Sequence, residues 1–218
     1  PHLDDKVLAA WNGLMISALA RAAAVPAESF ADKRAFYREA AVRAAEFVRR
    51  ELWDEAAGVL HRSWRGSRSD VAGFAEDYAC MTQAALDVYE ATFDVGWLEW
   101  AERLQARMDE RFGDAERGGY FNSTAGAADV VLRLKEDYDG AEPAPGSVAA
   151  MSLLRLGALL HRDELRERAR QTIDSLRAQW SRTPHALPQL LCALEGVLEP
   201  PRHVVIAGDP TAADFNGW

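Results

Sequence analysis

The chain has 218 residues, a formal net charge of −9 and a hydrophobic fraction of 49%, the balance of a folded globular protein rather than a disordered one. Because this charge would repel a phosphate backbone, we expect no nucleic-acid partner. The apolar run at residues 14–25 is interrupted by Arg21 and is too short to span a bilayer, so we expect no membrane partner. Cys80 and Cys192 lie in apolar patterns and are predicted to be buried, reduced thiols of a cytoplasmic protein.

Apolar and charged helical patterns alternate along the chain. Four segments are apolar nearly all round, at residues 7–25, 78–92, 148–160 and 185–198, and three carry charged outer faces, at 32–52, 97–112 and 165–182. Helices of the first type are buried, whereas helices with one apolar stripe lie outside. We therefore predict an all-α fold of alternating inner and outer helical hairpins. On the first helix the predicted core face comprises Val7, Trp11, Leu14, Met15, Ala18 and Ala22.

A repeated turn joins the hairpins. Residues 52–60 and 112–121 each contain an apolar helix end, an aspartate (Asp54 or Asp114), a glycine and a short extended segment. Glycine after a helix followed by an apolar pair favours short β-hairpin turns. Six hairpins of about 60 residues would need roughly 360 residues, so the chain is predicted to form about half of an (α/α)6 toroid.

The predicted organisation is a partial six-hairpin toroid over residues 1–200, followed by a strand-like, truncated segment at 201–218. The chain begins at Pro1 without a methionine, so we expect a fragment or a trimmed product. Its expected partners are a small carbohydrate and the missing N-terminal half of the same protein.

Several strings in the sequence resemble one family. They are Asp4-Asp5-Lys6 with Trp11-Asn12-Gly13-Leu14-Met15, Glu76-Asp77-Tyr78-Ala79, Lys135 with Asp139-Gly140-Ala141, Gly118-Gly119-Tyr120-Phe121, and residues 204–209. Their order is similar to the C-terminal half of the spermatogenesis-associated family of thioredoxin-domain-fused proteins, over roughly residues 1–210. The resemblance implies a six-hairpin toroid like that of N-acylglucosamine 2-epimerase. The thioredoxin-like domain is not matched, so no redox activity is implied. At residues 143–147 the chain has Pro-Ala-Pro-Gly-Ser where the family pattern has Pro-Ser-Gly-Asn-Ser.

Acidic residues precede successive inner helices. Asp5, Asp77 and Asp139 occupy equivalent points and are the candidate catalytic groups, because neighbouring carboxylates raise one another's pKa as sugar chemistry requires. The simpler interpretation is that these acids cap helices, that Trp11 packs in the core and that Asn12 cross-links the fold. The candidate substrate-binding residues are Asp4, Lys6, Trp11, Asn12, Glu76, Tyr78 and Lys135.

Two functions are consistent with these patterns. One is a carbohydrate-active domain that binds a sugar, and isomerises or hydrolyses it, through carboxylates at the inner-helix N-termini, with Trp11 or Tyr78 as a stacking face. The other is a non-catalytic helical interaction or regulatory module on a retired enzyme fold. No metal-ligand spacing, phosphate loop or nucleophile elbow occurs, so we expect no metal and no cofactor. His185 is the strongest of the five histidines, since it opens the last predicted inner helix.

Overall fold

The computed structural model describes residues 4–25, 31–127, 130–199 and 204. Its helices form an inner and an outer layer, as the alternating charge pattern predicts. The inner helices are α1 (Ala9–Ala24), α3 (Ala75–Thr92), α5 (Pro145–Leu159) and α8 (Pro188–Leu198). The outer helices are α2 (Ala31–Glu51), α4 (Val95–Phe112), α6 (Asp163–Ser175) and the short α7 (Arg177–Arg182).

Each inner helix packs on the next inner helix and on an outer partner. Helix α1 contacts α2 and α3, α3 contacts α4 and α5, and α5 contacts α6 and α8. The main core lies between the layers, where Tyr78, Met81, Trp100, Leu104 and Phe112 are fully buried. The all-α arrangement of hairpins in a partial toroid is therefore confirmed.

Several predicted boundaries are wrong, for local reasons. Val7–Leu8 is a strand, β1, which pairs with β4 (Ser63–Trp64) instead of opening α1. The predicted outer helix at 165–182 breaks at Leu176, which separates α6 from α7. The last inner helix begins at Pro188, where a proline is favoured in the first turn, and a 3-10 turn at Pro184–Ala186 precedes it.

The buried face of α1 differs from the predicted one. Trp11 and Met15 are 59% and 60% exposed, so the prediction that they face the core is wrong. A Cβ added to Gly13 would lie 2.8 Å from the backbone carbonyl of Cys80 in α3, so this close packing needs small side chains. The face that is buried comprises Ala9, Ala10, Gly13, Ile16, Ser17 and Ala20.

The repeated turn is confirmed. In the hairpin of β2 (Trp53–Asp54) and β3 (Val59–Leu60), Oδ1 of Asp54 accepts hydrogen bonds from two successive backbone N–H groups at 3.0 Å. Oδ1 of Asp114 accepts the same pair of bonds one repeat later, also at 3.0 Å. Gly58 and Gly118 follow with φ of 61° and 70°, a conformation that glycine adopts without strain.

The two cysteines do not share one environment. Cys80 is buried between α1 and α3, as predicted, whereas Cys192 is exposed. The prediction that Cys192 is buried is wrong because, in α8, only Leu190 and Ala193 are buried.

The predicted strand-like segment at 201–218 lies outside the described residues, apart from Val204. Within the described ranges, no helix combines the length and apolar content needed to cross a membrane.

Candidate functional site

Asp77 joins the N-terminal ends of two inner helices. Its Oδ1 accepts a hydrogen bond from the backbone N–H of Ala10 in α1, at 3.0 Å. Its Oδ2 accepts one from the N–H of Phe74, the residue before α3, at 2.9 Å, and contacts the Arg62 guanidinium at 3.2 Å. Both carboxylate oxygens are thus occupied, and only 1% of the residue is exposed.

Asp139 makes the equivalent connection for the next two inner helices. Its Oδ1 accepts a hydrogen bond from the N–H of Ala144, which precedes α5, at 2.8 Å. Its Oδ2 accepts bonds from the N–H groups of Gln189 and Leu190 in α8, at 2.8 and 3.4 Å. Free N–H groups at a helix start need such acceptors.

Asp4 and Asp5 do not cap the helix that they precede. The N-cap of α1 is Leu8, which has no side-chain cap, and Asp77 supplies the acceptor instead. Asp4 forms an exposed ion pair with Lys6 at 3.4 Å, and Asp5 forms one with Arg65 at 2.6 Å. The capping interpretation is therefore wrong for both residues.

Trp11 lies at the same end of the inner layer. Its indole Nε1 donates a hydrogen bond to Oε1 of Glu142, 131 positions along the chain, at 2.6 Å. Since α1 and α5 both pack on α3, this bond connects the loop before α5 to α1 across the N-terminal end of α3. More than half of the Trp11 side chain is nevertheless free to contact a ligand.

Other predicted site residues have structural partners. Asn12 donates from Nδ2 to the carbonyl of Leu8 at 2.8 Å, so its amide holds the residue that precedes α1. Tyr78 is fully buried against Phe112 and its hydroxyl accepts a bond from the N–H of Leu60 at 2.9 Å. The expectation that Tyr78 offers a stacking face is wrong.

Lys135 contacts the second of the two repeated turns, at residues 112–121. It does not pair with Asp77 or Asp139. Its Nζ pairs with Asp114 at 2.7 Å, donates to the carbonyl of Gly118 and lies 5.2 Å from the centre of the Phe121 ring. The lysine therefore stabilises the turn, and its charge is already balanced by a carboxylate.

Glu136 and Glu142 are candidates that sequence reasoning missed. Partial burial, together with Glu76, Asp139 and Glu142, raises the pKa of Glu136 above its ordinary value. Burial likewise raises the pKa of Asp77 to about 6, although the backbone bonds and Arg62 act in the opposite direction. The acidic composition of residues 136–142 could have identified both glutamates. The sequence analysis considered only the spacing of the aspartates.

A small cavity adjoins this acidic end. It has a volume of about 190 Å³ and is lined by Phe74, Glu76, Asn122, Ser123 and Pro145. Oδ1 of Asn122 is buried without a hydrogen-bond partner among the described residues, whereas Glu76 pairs with Arg62 at 2.7 Å. Over the part of the chain that the structure describes, no group of His, Cys, Asp or Glu side chains could hold a metal ion.

Known proteins resemble the chain in sequence and in fold. Spermatogenesis-associated protein 20 of Homo sapiens is 40% identical over 223 residues, a match that spans 98% of this chain and 28% of that protein. An uncharacterised protein of Caenorhabditis elegans is 35% identical over 218 residues, 96% of this chain and 28% of its own length. No protein-family model matches. The resemblance to the spermatogenesis-associated family is confirmed, and the chain spans little more than a quarter of these relatives.

Several solved sugar-active enzymes share the fold of this chain. A family 76 α-mannanase of Bacteroides thetaiotaomicron matches with a TM-score of 0.67 at 17% identity, over 88% of this chain and 53% of that one. A cellobiose 2-epimerase of Spirochaeta thermophila matches with a TM-score of 0.60 at 18% identity, over 79% of this chain and 43% of its own. A D-mannose isomerase matches with a TM-score of 0.56 at 13% identity, over 83% and 44%. The likeness is one of fold, and it covers about half of each toroid.

Proposed function

We propose that the N-terminal end of the inner helices is a carbohydrate-binding site of a sugar-active enzyme. The observation that carries this proposal is the exposed Trp11 ring, held by its hydrogen bond to Glu142 beside other carboxylates. An indole whose N–H is hydrogen-bonded and whose surface is more than half exposed suits the apolar face of a pyranose ring. Carboxylates around it are strong acceptors for sugar hydroxyl groups.

The carboxylates have different tasks in this proposal. Asp77 and Asp139 hold the helix ends in place, since backbone N–H groups already occupy their oxygens. Glu142 fixes Trp11 and accepts a sugar hydroxyl with its remaining lone pairs. Glu136 is the candidate proton donor, because partial burial and the neighbouring carboxylates of Glu76, Asp139 and Glu142 raise its pKa.

The names of the structural neighbours support a choice of sugars to test. Their names include an α-mannanase, a cellobiose 2-epimerase and a D-mannose isomerase. Glucose- and mannose-configured sugars are therefore the first ligands to test, and isomerisation or hydrolysis is the reaction type. The non-catalytic module is the competing function.

The test is a titration of the chain with mannose, glucose and cellobiose, followed by thermal unfolding and tryptophan fluorescence. A ligand that binds only the folded state raises the melting temperature. Trp11→Ala is expected to abolish the shift, whereas Phe36→Ala, which removes an exposed aromatic ring from the outer helix α2, leaves it unchanged. No shift with any sugar, or an equal shift in Trp11→Ala, favours the non-catalytic module.

A further inference from the structure

A second cavity lies near the C-terminal ends of α5 and α8. It has a volume of about 230 Å³ and an apolar wall that includes Met151, Leu154 and Ala158 of α5. Ala158 lies thirteen positions after Pro145 at the acidic end, which corresponds to about 20 Å along α5. The cavity is therefore distinct from the proposed sugar site.

Three arginines line this cavity together with one carboxylate, that of Glu199. Among the described residues, the ion pairs of Arg166 and Arg170 in α6 are with the carboxylates three residues earlier in the same helix, each at 3.6 Å. Such exposed pairs contribute little and are readily exchanged for another anion. Two of the three guanidinium groups in the lining are thus held only by long ion pairs, at 3.6 Å, and can turn towards an incoming anion.

Arg155 supplies a further unsatisfied donor. One of its terminal nitrogens, Nη2, contacts Asp87 at 2.7 Å and Glu90 at 2.8 Å. The other, Nη1, is buried and has no hydrogen-bond partner among the described residues. A buried donor without a partner is costly, and a ligand oxygen nearby would reduce that cost.

We propose that this cavity binds a small amphipathic anion, a monocarboxylate with an unbranched apolar tail. The guanidinium groups match a carboxylate in charge and geometry, and the apolar wall accommodates the tail. The volume lies below the roughly 300–1,000 Å³ of pockets for drug-sized ligands, which limits the ligand to a medium-chain acid.

The experiment measures octanoate, octanol and octylamine binding to the whole chain by isothermal titration calorimetry. Octanoate is expected to bind at least tenfold more tightly than octanol, and octylamine not at all. Replacing Arg166 and Arg170 together by glutamine is expected to weaken octanoate binding at least tenfold. Arg177→Gln is the matched control, since Arg177 forms a similar exposed pair with Asp174 but does not line the cavity.

A second variant separates charge from packing. Ala158→Leu adds bulk to the apolar wall and is expected to weaken octanoate and octanol alike while the chain stays folded. The proposal is overturned if octanoate does not bind at millimolar concentration, if octanol binds equally well, or if the double glutamine variant binds like the unaltered chain. Trp11→Ala is expected to leave octanoate binding intact, so failure of the sugar site is distinguishable from failure here.

Discussion

Asp139 repeats for α5 and α8 the contact that Asp77 makes for α1 and α3. In each case one carboxylate oxygen accepts a hydrogen bond from the backbone N–H of the residue just before an inner helix, Phe74 before α3 or Ala144 before α5. The other oxygen accepts one from the first turn of a neighbouring inner helix, α1 or α8. Asp77 and Asp139 thus bind neighbouring inner-helix ends together, whereas Asp4 and Asp5 do not. Since the partial positive charges of these ends converge there, carboxylates are the favoured side chains.

Asp139→Asn is expected to lower the free energy of unfolding by about 1–3 kcal/mol. A carboxylate accepts N–H bonds on both oxygens, whereas an amide has one acceptor oxygen and would face the remaining N–H with its own NH₂ group. Urea unfolding measures the difference. The control is Asp94→Asn at the start of α4, where one oxygen accepts one bond and asparagine caps about as well. Equal stability of both variants would contradict the two-oxygen role.

The stability of the chain is expected to depend on the titration of Asp77. The carboxyl has an ordinary pKa of 3.8, which burial raises to about 6 in the folded state. Between these values the folded chain binds the proton more tightly, so this residue makes the free energy of unfolding fall as the pH rises from about 4 to about 6. The loss is about 1–3 kcal/mol. Unfolding across this range should show a shallower decline in Asp77→Asn, and identical slopes would refute the assignment.

Gly13→Ala is expected to destabilise the chain by about 1–3 kcal/mol. The added Cβ would lie 2.8 Å from the carbonyl carbon and oxygen of Cys80, which are backbone atoms that cannot turn away. Gly146→Ala is the comparison, because its Cβ would meet only a methyl group of Thr172 at 3.9 Å. The free energy of unfolding of Gly146→Ala should rise by about 0.5 kcal/mol, because alanine restricts the conformations of the unfolded chain. Thermal unfolding measures both variants. A loss of stability in Gly13→Ala alone indicates close packing of α1 on α3, whereas a loss in both indicates that alanine is generally not tolerated at these glycines.

Native thiol labelling is expected to modify one cysteine quickly. Cys192 is exposed, whereas Cys80 is buried and burial raises its pKa to about 12, so its reactive thiolate form is rare. A disulfide reagent should therefore release one equivalent of product from the folded chain and a second only after unfolding. Cys192→Ser should abolish the rapid phase, and rapid labelling that persists in this variant would show that α1 and α3 open readily.

Local pattern in the sequence determined the helical layers and the repeated turn. Asp54 and Asp114 act within three residues of their own position, so residue order alone sufficed to predict them. The acids before the inner helices were also recognised from spacing, although their partners were not.

Tertiary structure decided which face of α1 is buried and what each acid contacts. Trp11 fits a helical apolar stripe as well as Ile16 does, but only the small face that includes Gly13 can approach the backbone of α3. The bonds that define the candidate site join residues 67 positions apart, Ala10 and Asp77, and 131 positions apart, Trp11 and Glu142. Helical periodicity carries no information over such separations, because it records burial along one segment and not the identity of the segment that covers it.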